Sequence, residues 1–87
     1  MQTTTMTLKM TPEPLGLERL LGTMRRRSVL PDGIHVQREA DGFLVFIELG
    51  RHLEATLRSL LPRVPEVLEI VETHTETFWQ QFGMTGV

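Results

Sequence analysis

The sequence predicts an α+β fold in which strands and helices follow one another in the order βαββαβ. Two kinds of hydrophobic periodicity support this prediction. Apolar residues alternate with polar ones in segments typical of strands, and they recur every three to four positions in two segments typical of helices. Proline and glycine separate these segments. The expected architecture is a four-stranded antiparallel sheet with both helices on one face, the split βαβ or ferredoxin-like arrangement.

Length and composition restrict the class of protein. The 87 residues make one small domain, and the net charge of −2 argues against generic nucleic-acid binding. The chain contains no cysteine, which excludes disulfides and thiolate metal sites and favours the cytoplasm. The first ten residues lack the apolar core of a signal peptide, and no segment approaches the roughly 18–20 apolar residues of a membrane span. We therefore expect a cytoplasmic protein that binds neither nucleic acid nor a membrane.

The first strand and the first helix are predicted over residues 3–10 and 15–27. Residues 3–10 alternate between apolar and polar side chains and are rich in β-branched threonine. Pro14 stands just before the helix, and three arginines at 25–27 fall in its last turn, where cations meet the negative end of the helix dipole. Four apolar residues at helical spacing are expected to face the sheet: Leu17, Leu20, Leu21 and Met24.

A turn and a β-hairpin are predicted next. In the LPDG segment at residues 30–33, proline sets φ and glycine tolerates a positive φ. Two antiparallel strands follow at residues 34–39 and 43–49, joined at Asp41-Gly42, a dipeptide favoured in tight hairpins.

The second helix and the last strand are predicted over residues 51–63 and 67–73. Leu53, Leu57, Leu60 and Leu61 fall at helical spacing, and Pro62 is expected to end the helix early or tighten its last turn. The domain is predicted to span residues 1–74, followed by a C-terminal tail at 75–87 whose start is compatible with a short helix. The tail carries Phe78, Trp79 and Phe82.

The third strand has apolar residues on both faces. If Phe43, Val45 and Ile47 point toward the helices, then Leu44 and Phe46 point to the face that two helices leave open, which is normally polar. We expect cover from the aromatic tail or from a partner chain, and we favour a homo-oligomer or hetero-complex over a free monomer, with a homodimer as the predicted assembly. Leu44 and Phe46 are the predicted interface residues.

No constellation typical of catalysis is present in the sequence. Two of the three histidines, His35 and His74, lie on different predicted strands and could be neighbours in the sheet. The spacing of the histidines matches no metal-ligand motif. The glycines have no phosphate-loop spacing, and the serines lack a partner arranged for nucleophilic attack. We predict no catalytic residue, no metal and no cofactor.

One segment resembles a known family. Leu17-Glu18-Arg19-Leu20-Leu21 followed by Met24-Arg25-Arg26-Arg27 is similar to the signature helix of ACT-type regulatory domains, and more narrowly to the short small subunits of acetolactate (acetohydroxyacid) synthase. The resemblance covers roughly residues 4–73. It implies a non-catalytic, ACT-like protein that pairs through its sheet and contacts a thiamine-diphosphate-dependent catalytic subunit in branched-chain amino-acid biosynthesis, with feedback inhibition by valine in some members.

The resemblance also implies an effector site. Many members bind a small amino acid near the loop between the first strand and the first helix, where backbone N–H groups attract a carboxylate. The matching residues are Glu13, Pro14, Leu15, Gly16 and Leu17. Two alternatives remain: a stand-alone amino-acid-binding or adaptor domain without a synthase partner, and a small ferredoxin-like enzyme.

Overall fold

The computed structural model describes residues 2–77 and confirms the predicted ferredoxin-like fold. Four strands form one antiparallel sheet in the order β2-β3-β1-β4, with β1 and β3 at its centre. The elements are β1 (Gln2–Met10), α1 (Pro14–Arg26), β2 (Gly33–Glu39), β3 (Gly42–Gly50), α2 (Glu54–Leu60) and β4 (Val67–Thr77).

The hydrophobic core lies between the sheet and the helices. β1 and β3 supply alternate side chains because successive residues of a strand point to opposite faces. The helices and their flanking turns supply the rest. The fully buried side chains include Met6, Leu8, Met10, Leu20, Met24, Val29, Val45, Ile47, Leu49, Leu57 and Val64.

Helix α1 ends in a Schellman motif. Ser28 has φ of 58°, the left-handed conformation, and its N–H donates to the Arg25 carbonyl at 3.1 Å. The N–H of Val29 donates to the Met24 carbonyl at 2.9 Å, and both of those side chains are buried. The two hydrogen bonds satisfy carbonyls that the helix end would leave unpaired, and the apolar contact that usually accompanies this motif is available.

The buried face of α1 differs in part from the predicted stripe. Leu20 and Met24 are buried and Leu17 packs against the core, but Leu21 is 44% exposed. Gly16 and Thr23 take buried positions instead. The Thr23 hydroxyl is satisfied there by donating to the carbonyl of Arg19 at 2.8 Å.

The second helical segment is less regular than predicted. Its α-helical part is only Glu54–Leu60, flanked by 3₁₀ turns at Arg51–Leu53 and Leu61–Arg63. Pro62 lies in the second turn and ends the α-helix early, because proline lacks the N–H that would continue the hydrogen-bond ladder.

The hairpin forms as predicted, but its glycine has a different role. The two turn residues are Ala40 and Asp41, and no glycine among residues 2–77 has a positive φ. Gly42 instead begins β3, where a Cβ atom would lie 2.2 Å from the carbonyl oxygen of Met10. Gly33 likewise begins β2 and is crowded by the carboxylate of Glu48. Both positions therefore favour glycine because neighbouring atoms occupy the space of a Cβ atom, and not because the turn requires a positive φ.

Strand β4 is longer than predicted and is paired irregularly. It runs to Thr77, so residues 75–77 of the predicted tail pair with β1 rather than form a helix; residues 78–87, with their aromatic side chains, lie outside the described residues. The pairing register shifts twice, and the two residues that it passes over, Leu68 and Val71, are more than half exposed. Val67 and Ile70 keep their places against the core.

Candidate functional site

The register of the sheet places both predicted interface residues on its open face. Ile47 pairs with Met6 and Val45 with Leu8, and these four side chains are buried under the helices. The intervening residues of β3, among them Leu44 and Phe46, therefore point to the opposite face. They are only partly exposed there, because neighbouring strands flank them on both sides.

Phe46 lies at the centre of the open face. Its cross-strand partner on β1 is Thr7, which is buried, and its partner on β2 is His35. The rings of His35 and Phe46 have centroids 5.7 Å apart and planes tilted by 46°. A cavity of about 190 Å³ opens beside them, lined by Gly33, Ile34, His35, Phe46 and Glu48.

The predicted effector loop lies at the start of α1 and is closely packed on one side. Gly16 is buried, and a Cβ atom at this position would lie 2.6 Å from Cβ of Glu66. Leu17 is partly buried, whereas Glu13, Pro14 and Leu15 are exposed. A ligand that settled over Gly16 would have to displace the Glu66 side chain.

Few backbone donors remain at this helix start. Pro14 is its first residue and has no N–H, and the N–H of Gly16 donates to the Glu13 carbonyl at 3.0 Å. The Glu13 carboxylate accepts a short hydrogen bond from the Thr11 hydroxyl. This hydrogen bond keeps the negatively charged carboxylate beside the loop. An incoming amino-acid carboxylate therefore meets a like charge and few free N–H groups.

Glu66 contacts the predicted effector loop, and the sequence did not reveal this contact. Its Oε1 atom is buried and lies 3.3 Å from Nε of Arg19, an ion pair on the flank of α1. Its backbone carbonyl accepts a hydrogen bond from Thr11 N–H at 2.9 Å. These contacts join the loop after β1 to the segment before β4. Fifty sequence positions separate Glu66 from Gly16, so no local pattern signals their contact.

The structure separates the histidines that the sequence left open as neighbours. His35 is on β2 and His74 on β4, which are opposite edges of the sheet. Across residues 2–77, no group of three or more His, Cys, Asp or Glu side chains is placed to hold a metal ion. Over the same residues, no helix has the length and apolarity needed to cross a membrane.

Comparison with known proteins does not assign the chain to a family. No family model matches the chain, and no curated protein matches it. A similar solved structure is a chain from Chloroflexus aurantiacus J-10-fl, provisionally named an antibiotic biosynthesis monooxygenase. The two chains are 11% identical, with 86% of this chain and 91% of that one covered and a TM-score of 0.43. The class is thus defined by the topology itself, an α+β ferredoxin-like domain in which both helices of the described residues lie on one face of the sheet.

Proposed function

We propose that the chain is a non-catalytic regulatory subunit that binds another polypeptide through the open face of its sheet. The observation that carries this proposal is the position of Leu44 and Phe46, two large apolar side chains at the centre of a face that no helix within residues 2–77 covers. Fully burying a side chain of this size is worth roughly 1.5–3 kcal/mol. Leu44 and Phe46 are already partly buried, so a complex would gain the part of this free energy that belongs to the surface they still expose within residues 2–77.

The sequence resemblance supports a particular partner. The segment from Leu17 to Arg27 forms most of helix α1 and its C-cap, the element on which the likeness to acetolactate synthase small subunits rests. The partner that we propose is therefore the catalytic subunit of acetolactate synthase, an enzyme of branched-chain amino-acid biosynthesis, and we propose that this chain acts with it in the cytoplasm. A stand-alone adaptor or amino-acid-binding domain, pairing with a second copy of itself, is the alternative.

Binding of the catalytic subunit, rather than sensing of an amino acid, is the part of this function that the geometry favours. The open face has an apolar centre that no other element of residues 2–77 covers, whereas the loop at Gly16 is filled by the side chain of Glu66. We therefore propose that regulation acts through the protein contact.

Co-purification from the native host tests the proposal. The chain is tagged at its N-terminus, and a parallel culture expresses the Phe46→Thr variant, which removes the aromatic ring and introduces a residue that is also favoured in strands. Recovery of a thiamine-diphosphate-dependent synthase with the wild type and its loss with the variant would support the proposal. Recovery of the tagged chain only as a homodimer would favour the stand-alone alternative.

A further inference from the structure

The two faces of the molecule carry opposite charge, which the net charge of −2 conceals. The chain has one lysine, Lys9, which the register places on the open face. All eight arginines lie elsewhere, on the helices, in the connecting segments or, for Arg38, on the helix side of β2. Among residues 2–75, four glutamates accompany Lys9 on the open face, one each from β2 and β3 and two from β4: Glu39, Glu48, Glu69 and Glu72.

This distribution opposes pairing of two open faces related by a two-fold axis. Such a pair would bring the glutamates of each copy toward those of the other, and like charges facing each other across an interface weaken association. A partner surface with lysine or arginine around an apolar centre would instead match both features of the face. The charges therefore favour a different polypeptide, rather than a second copy of this chain, as the binding partner of the open face.

The cavity beside Phe46 shows how one basic side chain would fit. Phe46 and His35 form an aromatic wall, and Glu48 supplies a carboxylate at the rim. The Glu48 Oε1 atom extends over Gly33, where a Cβ atom would lie 2.9 Å from it. An arginine or lysine pairs its apolar stem with an aromatic ring and its charged end with a carboxylate, so this cavity offers both contacts.

We propose that the open face binds a basic patch of its partner polypeptide, with one arginine or lysine side chain entering the cavity between Phe46 and Glu48. This inference rests on the proposed function, because it assigns the chemistry of the partner at the same face. The partner's apolar residues cover Leu44 and Phe46, and its surrounding cations face Glu69 and Glu72.

A peptide titration followed by amide NMR shifts tests this inference on the chain alone. The probe is N-acetyl-Lys-Leu-Arg-Leu-Lys-amide at low salt, and the control probe replaces each basic residue by glutamate. We expect saturable shifts along β2 and β3, the strands that line the cavity, with the basic peptide only, weakened at high salt by screening. The Glu48→Gln variant should weaken binding about tenfold, as expected for loss of a close charge pair.

Matched variants distinguish the charges of the open face from charges elsewhere on the molecule. Glu18→Gln removes one negative charge from the exposed side of α1 and should leave binding unchanged, whereas the double variant Glu69→Gln/Glu72→Gln should weaken it. Absence of saturable shifts on the open face, equal binding of the acidic peptide, or equal effects of Glu48→Gln and Glu18→Gln would overturn the inference. The titration needs no synthase, so its failure is distinguishable from a failure of the synthase to bind.

Discussion

Gly16 in α1 is packed directly against the side chain of Glu66, so closely that a Cβ atom at position 16 would lie 2.6 Å from Cβ of Glu66. The contact ties the start of the first helix to the segment that enters β4, and the ion pair between Arg19 and Glu66 continues it along the helix. The same contact fills the space in which the resemblance places an effector.

The two glycines of α1 should respond oppositely to substitution by alanine. Gly22 has open space around its Cβ position, where the nearest atom is the end of the Arg26 side chain at 3.5 Å. Gly22→Ala should therefore stabilise the protein by up to about 1 kcal/mol through helix propensity alone. Gly16→Ala should destabilise it by about 1–3 kcal/mol, because the added methyl overlaps Glu66.

Urea unfolding of both variants measures this difference. The midpoint should rise for Gly22→Ala and fall for Gly16→Ala at an unchanged slope. A stabilised Gly16→Ala protein would show that Glu66 does not fill this space.

The glycines that begin β2 and β3 offer a second contrast. Gly42→Ala places its methyl 2.2 Å from the backbone carbonyl oxygen of Met10, which cannot move without disturbing the pairing of β1. We expect a loss of about 2–4 kcal/mol. Gly33→Ala meets only the end of the Glu48 side chain, which can rotate away, so its loss should be smaller. Thermal unfolding would rank the two variants, and equal losses would contradict the packing described for Gly42.

The end of α1 predicts a stabilising substitution. Ser28 holds the left-handed conformation with φ of 58°, which glycine adopts without steric cost. Ser28→Gly should raise the free energy of unfolding by about 0.5–1 kcal/mol, and Ser28→Val should lower it, because a β-branched residue is strained there. Denaturant midpoints of the two variants check the sign, and a less stable Ser28→Gly protein would contradict the Schellman assignment.

The filled loop predicts insensitivity to branched-chain amino acids. Valine, leucine and isoleucine at millimolar concentration should each leave the melting temperature of the chain unchanged, because a bound ligand would raise it by mass action. Alanine serves as the matched small-amino-acid control. A reproducible rise in melting temperature with any one of the three would contradict the conclusion that the Glu66 side chain fills the loop at Gly16.

Much of the fold could be predicted because the hydrophobic pattern of most segments agrees with the positions of their side chains in the folded chain. The alternation in β1 and β3 correctly assigned Met6, Leu8, Val45 and Ile47 to the core and Phe46 to the open face. The helix and strand order followed from periodicity and turn residues, and the observed helix α1 begins and ends within one residue of its prediction.

What the sequence did not show depends on contacts between distant segments. The roles of Gly42 and Gly16 come from Met10 and Glu66, and only the folded chain brings these residues together. The two register shifts in β4 decide that Val67 and Ile70 are covered while Leu68 is exposed, although all are apolar. The acidic character of the open face required the same register, because the overall charge alone does not reveal it.

The most direct test of the central claim is a calorimetric titration of the purified acetolactate synthase catalytic subunit from the same host with this chain. We expect the wild type to bind, and Phe46→Thr, which changes the central apolar residue of the open face, to bind about tenfold or more weakly. Leu30→Thr, a change at an exposed apolar residue of the loop after α1, should bind like the wild type. Absence of binding by the wild type, or equal binding by all three proteins, would contradict the account.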